Sequence, residues 1–99
     1  MATYWLTFRI HEDATYEQRR DRLYAAINDI AAPWWVEPTS FIAFASETSA
    51  DMIAAKVKAA FNPVTDIALL GMTDFKTARL IGNSKDPDIY ALIPFLKKV

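Results

Sequence analysis

Hydrophobic and polar positions alternate from Thr3 to Ile10, with Tyr4, Leu6, Phe8 and Ile10 on one face and Thr3, Trp5, Thr7 and Arg9 on the other. A period of two predicts a half-buried strand. After the polar loop His11-Glu12-Asp13-Ala14, Tyr16, Leu23, Ile27 and Ile30 recur at helical spacing and predict a helix over Thr15–Ile30. Thr15 stands three residues before Gln18, the spacing at which two side chains cap a helix start reciprocally. Arg20 falls on the apolar stripe and is expected to lie along its edge with its guanidinium in water. Pro33 closes the helix region. Trp34–Glu37 is then extended, Pro38-Thr39-Ser40 turns, and Phe41–Ala45 returns as a second short strand, so the segment reads as a hairpin.

Ser49 with Asp51 predicts another helix start, Ile53, Val57, Ala60 and Phe61 mark its buried face, and Asn62-Pro63 ends it. The apolar run Asp66–Met72 is compatible with a central strand. Phe75–Ile81 fits a final edge strand or one more helical turn, and the extended reading is preferred. Asp86-Pro87-Asp88 opens a tail helix with Ile89, Leu92, Ile93 and Leu96 on its apolar face; Pro94 keeps it short, and Lys97-Lys98 is expected to fray into solvent.

The element order predicts an α+β chain. Residues 1–82 form a ferredoxin-like β-α-β-β-α-β antiparallel sheet with two helices on one face, and residues 83–99 a C-terminal tail whose short helix packs on the domain or its dimer partner. Two helices cover one sheet face only, so Trp5, Thr7 and Arg9 point away from them. Trp34 and Trp35 are neighbours on a strand and must face opposite ways: one seals the helices and the other joins Trp5. Trp5, Thr7, Arg9, Trp34 and Trp35 are therefore the expected interface residues, covered by a second subunit or by the tail.

Composition narrows the function classes. At 99 residues, 53% hydrophobic and 23% charged, the chain is one folded domain. Eleven basic and twelve acidic residues leave a formal net charge of −1, so no global field draws it to nucleic acid or membrane. Cysteine is absent, which excludes disulfides, thiolate catalysis and Cys-ligated metals. The N-terminal stretch lacks the basic lead and apolar run of a signal peptide, and no apolar run nears the roughly 20 residues that span a bilayer, so the cytoplasm of a microbe is the expected location.

Candidate chemistry is sparse. His11-Glu12-Asp13 is the densest cluster of ligand-type side chains, but adjacent strand residues alternate in direction, and the stretch reads as a polar loop with Asp13 near a positive helix end. No catalytic residue, metal or cofactor is expected. Gly71 and Gly82 are the only glycines, which excludes a phosphate-cradling loop. Arg19, Arg20 and Arg22 form the one basic cluster. Arg9, Arg19 and Arg22 are the candidates for nucleic-acid contact, although Glu17 and Asp21 interleave with the cluster and give it the character of a solvated face. An aromatic base-stacking platform on Trp5 and Phe41 lacks the basic residue and glycines such strands carry. Glu37, Asp66 and Asp74 read as solvated carboxylates near strand ends.

The N-terminal Met-Ala-Thr-Tyr strand, the Trp34-Trp35 pair, Thr39-Ser40-Phe41-Ile42, Ser49-Ala50 and Asp66-Ile67-Ala68-Leu69-Leu70 resemble the SinR-like small bacterial proteins, a group related to the small CRISPR-associated endonuclease of the spacer-acquisition complex. The resemblance spans roughly residues 1–82. It implies a ferredoxin-like homodimer with packed sheets and, in the nuclease relatives, a metal held by an Asp at the end of the first strand of each subunit. The matching residue here is Arg9, and a guanidinium repels a divalent cation. The expectation is a non-catalytic homodimer with a protein or nucleic-acid partner and no small-molecule cofactor; the alternative is a metal-dependent nuclease.

Overall fold

The computed structural model describes residues 2–72, 78–82 and 84–98. Four strands make an antiparallel sheet: β1 (Ala2–Arg9), β2 (Trp34–Trp35), β3 (Phe41–Ser46) and β4 (Ile67–Met72), in the spatial order β2-β3-β1-β4. Helix α1 (Tyr16–Ile30) joins β1 to β2, and α2 (Ala50–Ala60) joins β3 to β4. Beyond them lie β5 (Arg79–Leu80), α3 (Asp88–Leu92) and β6 (Lys97–Lys98).

Register follows the alternation in the sequence. Leu6 pairs with Ile42 on one side and Leu70 on the other, and Tyr4 with Phe44 and Met72, so these residues share the helix-facing side. There Leu6, Leu23, Ile27, Ile42, Phe44 and Ile53 lose all contact with solvent. Each such side chain contributes about 1.5–3 kcal/mol on burial. Tyr4 stacks on Phe44 at 5.6 Å and its hydroxyl donates to the carbonyl of Thr48, which satisfies the polar end of a buried ring. Ser49 caps α2 by accepting from the Met52 amide at 3.3 Å.

The helix-free side is divided in two. Over β2 and β3, Trp35, Ala43 and Ala45 pack against Ile89, Leu92 and Ile93 of the tail. The small side chains of Ala43 and Ala45 let α3 sit close to the sheet. A polar latch holds this tail: Trp35 Nε1 donates to Ser84 Oγ at 3.0 Å, and Ser84 Oγ and the Asp86 amide both donate to Glu37 Oε1. These bonds, the Ser84 hydroxyl foremost, hold the Glu37 carboxyl below its ordinary pKa. Over β1 and β4 the described tail supplies no such cover.

Several sequence expectations change. β4 is an edge strand rather than a central one, since its only partner among the described residues is β1. β2 is two residues long. Thr15 precedes α1 but makes no side-chain cap bond. Lys97 and Lys98 pair in parallel with Arg79 and Leu80 instead of fraying. Of the expected extended segment Phe75–Ile81, β5 is extended, while residues 73–77, Asp74 among them, lie outside the described residues. The tail helix stops at Leu92, two residues before Pro94. Among the described residues no helix is long and apolar enough to cross a membrane.

Candidate interaction surface

The open half of the sheet is built by β1 and β4. Arg9 stands opposite Ile67, Thr7 opposite Leu69, and Trp5 opposite Gly71, and opposed residues point to the same side. Ile67 is 62% exposed and Leu69 61%. With Thr7 and Arg9 they line a shallow depression of about 390 Å³. Trp5 is held differently: a Cβ at Gly71 would stand 2.5 Å from Trp5 Cζ2, so the indole lies across the glycine. Glycine is required here for close approach, and the ring covers the strand where glycine offers no side chain.

The other side of β4 is also incompletely filled. A second groove of about 390 Å³ runs between α2 and β4, walled by Ala54, Val57, Phe61, Ala68 and Leu70 with Lys58 as its cationic residue. Met72, on the helix-facing side at the end of β4, is 65% exposed. β4 therefore carries apolar side chains on both faces and is unpaired along one edge among the described residues.

Arg19 occupies a different environment from the one its neighbours suggest. It is 4% exposed, and it joins three segments of the chain. Its Nε donates to Asp66 Oδ2 at 2.9 Å, Nη1 and Nη2 form a fork on Asp13 at 3.0 and 3.1 Å, and Nη2 donates to the His11 carbonyl at 2.9 Å. Nη1 also donates to Thr15 Oγ1, which explains why that hydroxyl does not cap the helix. The bond from Arg19, then that from the Thr15 amide, lowers the Asp13 carboxyl to a pKa of about 2. Burial pushes the Asp66 carboxyl up, but amides of His11 and Asn62 at 2.8 Å and the Arg19 guanidinium overcome it and leave it lowered. Hydrogen bonding to Asp13 raises Arg19 in turn. Expected solvation of Arg19 and Asp66 is thus replaced by a fully bonded ion cluster that ties the β1–α1 loop to the start of β4.

The remaining candidates separate. Arg9 and Arg22 are exposed on opposite sides of the sheet: Arg9 on the helix-free side, Arg22 in a groove between α1 and α2 with Asp29 and Lys56. They and Arg19 form no common cationic patch. Arg20 lies over the Tyr16 ring at 5.7 Å, as its place on the stripe implies. Trp34 is on the helix side, edge-on to Tyr24 at 6.2 Å, and Trp35 is on the other side beneath α3 of its own chain. Of the five expected interface residues, Trp5, Thr7 and Arg9 share the open surface. Ile67 and Leu69 complete it, while Met72 is exposed on the other side of the same strand, and the signal for all three was the absence of any charge in the run Ile67–Met72.

His11 contributes its backbone to the Arg19 cluster, and among the described residues no group of three or more His, Cys, Asp or Glu is placed to hold a metal. No protein-family model matches the chain, and neither a curated protein nor a solved structure does.

Proposed function

We propose that this chain is a non-catalytic, cytoplasmic, homodimeric protein of ferredoxin-like fold that acts by self-association through the open surface of β1 and β4. The observation that carries this reading is the pair Ile67 and Leu69, both more than half exposed on an edge strand beside Trp5 and Thr7. A monomer ordinarily protects such an edge with a charge, a proline or a covering segment, and Ile67–Met72 contains neither charge nor proline. The strand order β2-β3-β1-β4 with both connecting helices on one side supports the ferredoxin-like assignment.

The non-catalytic part rests on Arg9. It occupies the strand end at which the SinR-like resemblance places a metal-binding Asp in nuclease relatives, and its guanidinium disfavours a cation there. Two neighbouring carboxylates do not compensate: Asp13 in the following loop and Asp66, next to the strand partner of Arg9, are both engaged by Arg19. Light scattering tests the dimer. The 11.2 kDa chain should run at twice that mass, and Leu69→Glu, which places a charge on an exposed site, should return it to the monomer mass with its helical circular dichroism intact. A wild-type monomer at 100 µM, or a Leu69→Glu variant that stays dimeric, refutes the assignment of the surface.

A further inference from the structure

We infer that the dimer forms edge to edge, by antiparallel pairing of β4 with β4 of a second copy about a two-fold axis through Leu69, which joins two four-stranded sheets into one. This rests on the homodimer reading above and specifies its geometry, since two sheets could instead stack face to face.

Three complementarities select the second copy as occupant. A two-fold axis normal to the sheet must oppose residues of the same face. An axis through Leu69 does so: Leu69 meets Leu69 of the second copy, Ile67 meets Gly71, and Ala68 meets Leu70. On the helix-free side this sets the exposed Ile67 beside the position where the second copy's indole of Trp5 crosses Gly71, so the apolar surface becomes continuous. On the helix side, the second copy's Met72 comes level with Asp66, at the end of the groove between α2 and β4. The exposed methionine and the unfilled groove therefore supply each other's missing contact, twice by symmetry.

Charge gives the third match. Asp51 lies in the first turn of α2 and Lys58 in the last, seven positions apart on one face. The two-fold axis runs the two α2 helices antiparallel, so the end that carries Asp51 in one chain lies beside the end that carries Lys58 in the other, twice by symmetry. Among the described residues neither side chain has an ion-pair partner within the chain.

The chain contains no cysteine, so one introduced thiol reports the geometry without background. Directly opposed strand residues stand about 4.5–5.5 Å apart at Cα, within the window for a disulfide. Leu69→Cys should oxidise to a linked dimer in high yield on a non-reducing gel. Arg9→Cys lies on the same face but one strand in from the edge, and it should run as the unlinked chain after the same treatment. Linking of Arg9→Cys without Leu69→Cys, or of both equally, overturns edge pairing while leaving a dimer in place; linking of neither in a chain that light scattering finds dimeric does the same. A monomeric wild type defeats the homodimer reading itself. As a second measurement, Asp51→Lys and Lys58→Asp should each weaken dimerisation about tenfold, and the two together should restore it. A double variant no better than the singles contradicts the register.

Discussion

Replacing Asp66 by alanine should be among the most damaging single changes in this chain. The carboxylate is inaccessible to solvent and accepts from the amides of His11 and Asn62, each at 2.8 Å, and from Arg19 Nε at 2.9 Å. A hydrogen bond to a charged group contributes about 1.5–3 kcal/mol, so the two amide bonds alone set the loss at no less than about 3 kcal/mol. Loss of the Arg19 contact acts in the same direction, because it leaves a buried cation with fewer partners. Against a total stability of about 5–15 kcal/mol for a domain, this is a large fraction. Urea unfolding followed by tryptophan emission reads it directly: with an m-value of about 1 kcal/mol/M, the midpoint should fall by roughly 3 M. Asp66→Asn retains one carbonyl oxygen and should lose about half as much. An Asp66→Ala variant destabilised by less than about 1 kcal/mol would mean that the cluster is solvated in solution and that β4 is anchored by other contacts.

Stability should also fall in acid over a defined window. Asp13 titrates at about 2 in the folded chain against 3.8 when unperturbed, so between these values the unfolded chain binds more protons; the contribution is complete above about pH 4 and is lost as pH drops through 2. Asp66 and Glu37 are lowered in the same sense, and Asp13→Asn should flatten the slope between pH 4 and 2, whereas an unchanged slope assigns it to other groups. Gly71→Ala should force the Trp5 indole off the strand, costing about 1–3 kcal/mol and shifting tryptophan emission to the red; normal emission and stability would contradict the close approach. Glu37→Ala should speed amide exchange in α3 by releasing the Ser84–Asp86 latch, and an unchanged rate would show that apolar packing alone holds the tail.

The central sheet was legible because each strand advertises its own face. Tyr4, Leu6 and Phe8 alternate with Trp5, Thr7 and Arg9, and the structure keeps these assignments; in β3, Ile42 and Phe44 alternate with Ala43 and Ala45 in the same way. Arg19 was not legible from periodicity. Periodicity put Arg20 on the apolar stripe and Arg19 with Arg22 on the solvated face, although the two arginines lie at similar angles on either side of the Leu23–Ile27 line. What separates them is Asp66, 47 residues further on, which closes over Arg19's side of the stripe. The tail was one of two covers expected for the helix-free side, and the sequence left open which of them Trp35 receives: that depends on where α3 docks, and a five-residue helix carries too short a pattern to say. β4 was misplaced as central because an apolar run with no charge fits equally a strand buried between neighbours and an edge awaiting a partner.

That last ambiguity is also the functional question. Sedimentation equilibrium on the unmodified chain at several concentrations tests it most directly. The exposed Ile67, Leu69 and Met72 predict a single species at twice 11.2 kDa that dissociates only on dilution. A concentration-independent mass of 11.2 kDa would contradict self-association as the role of this surface.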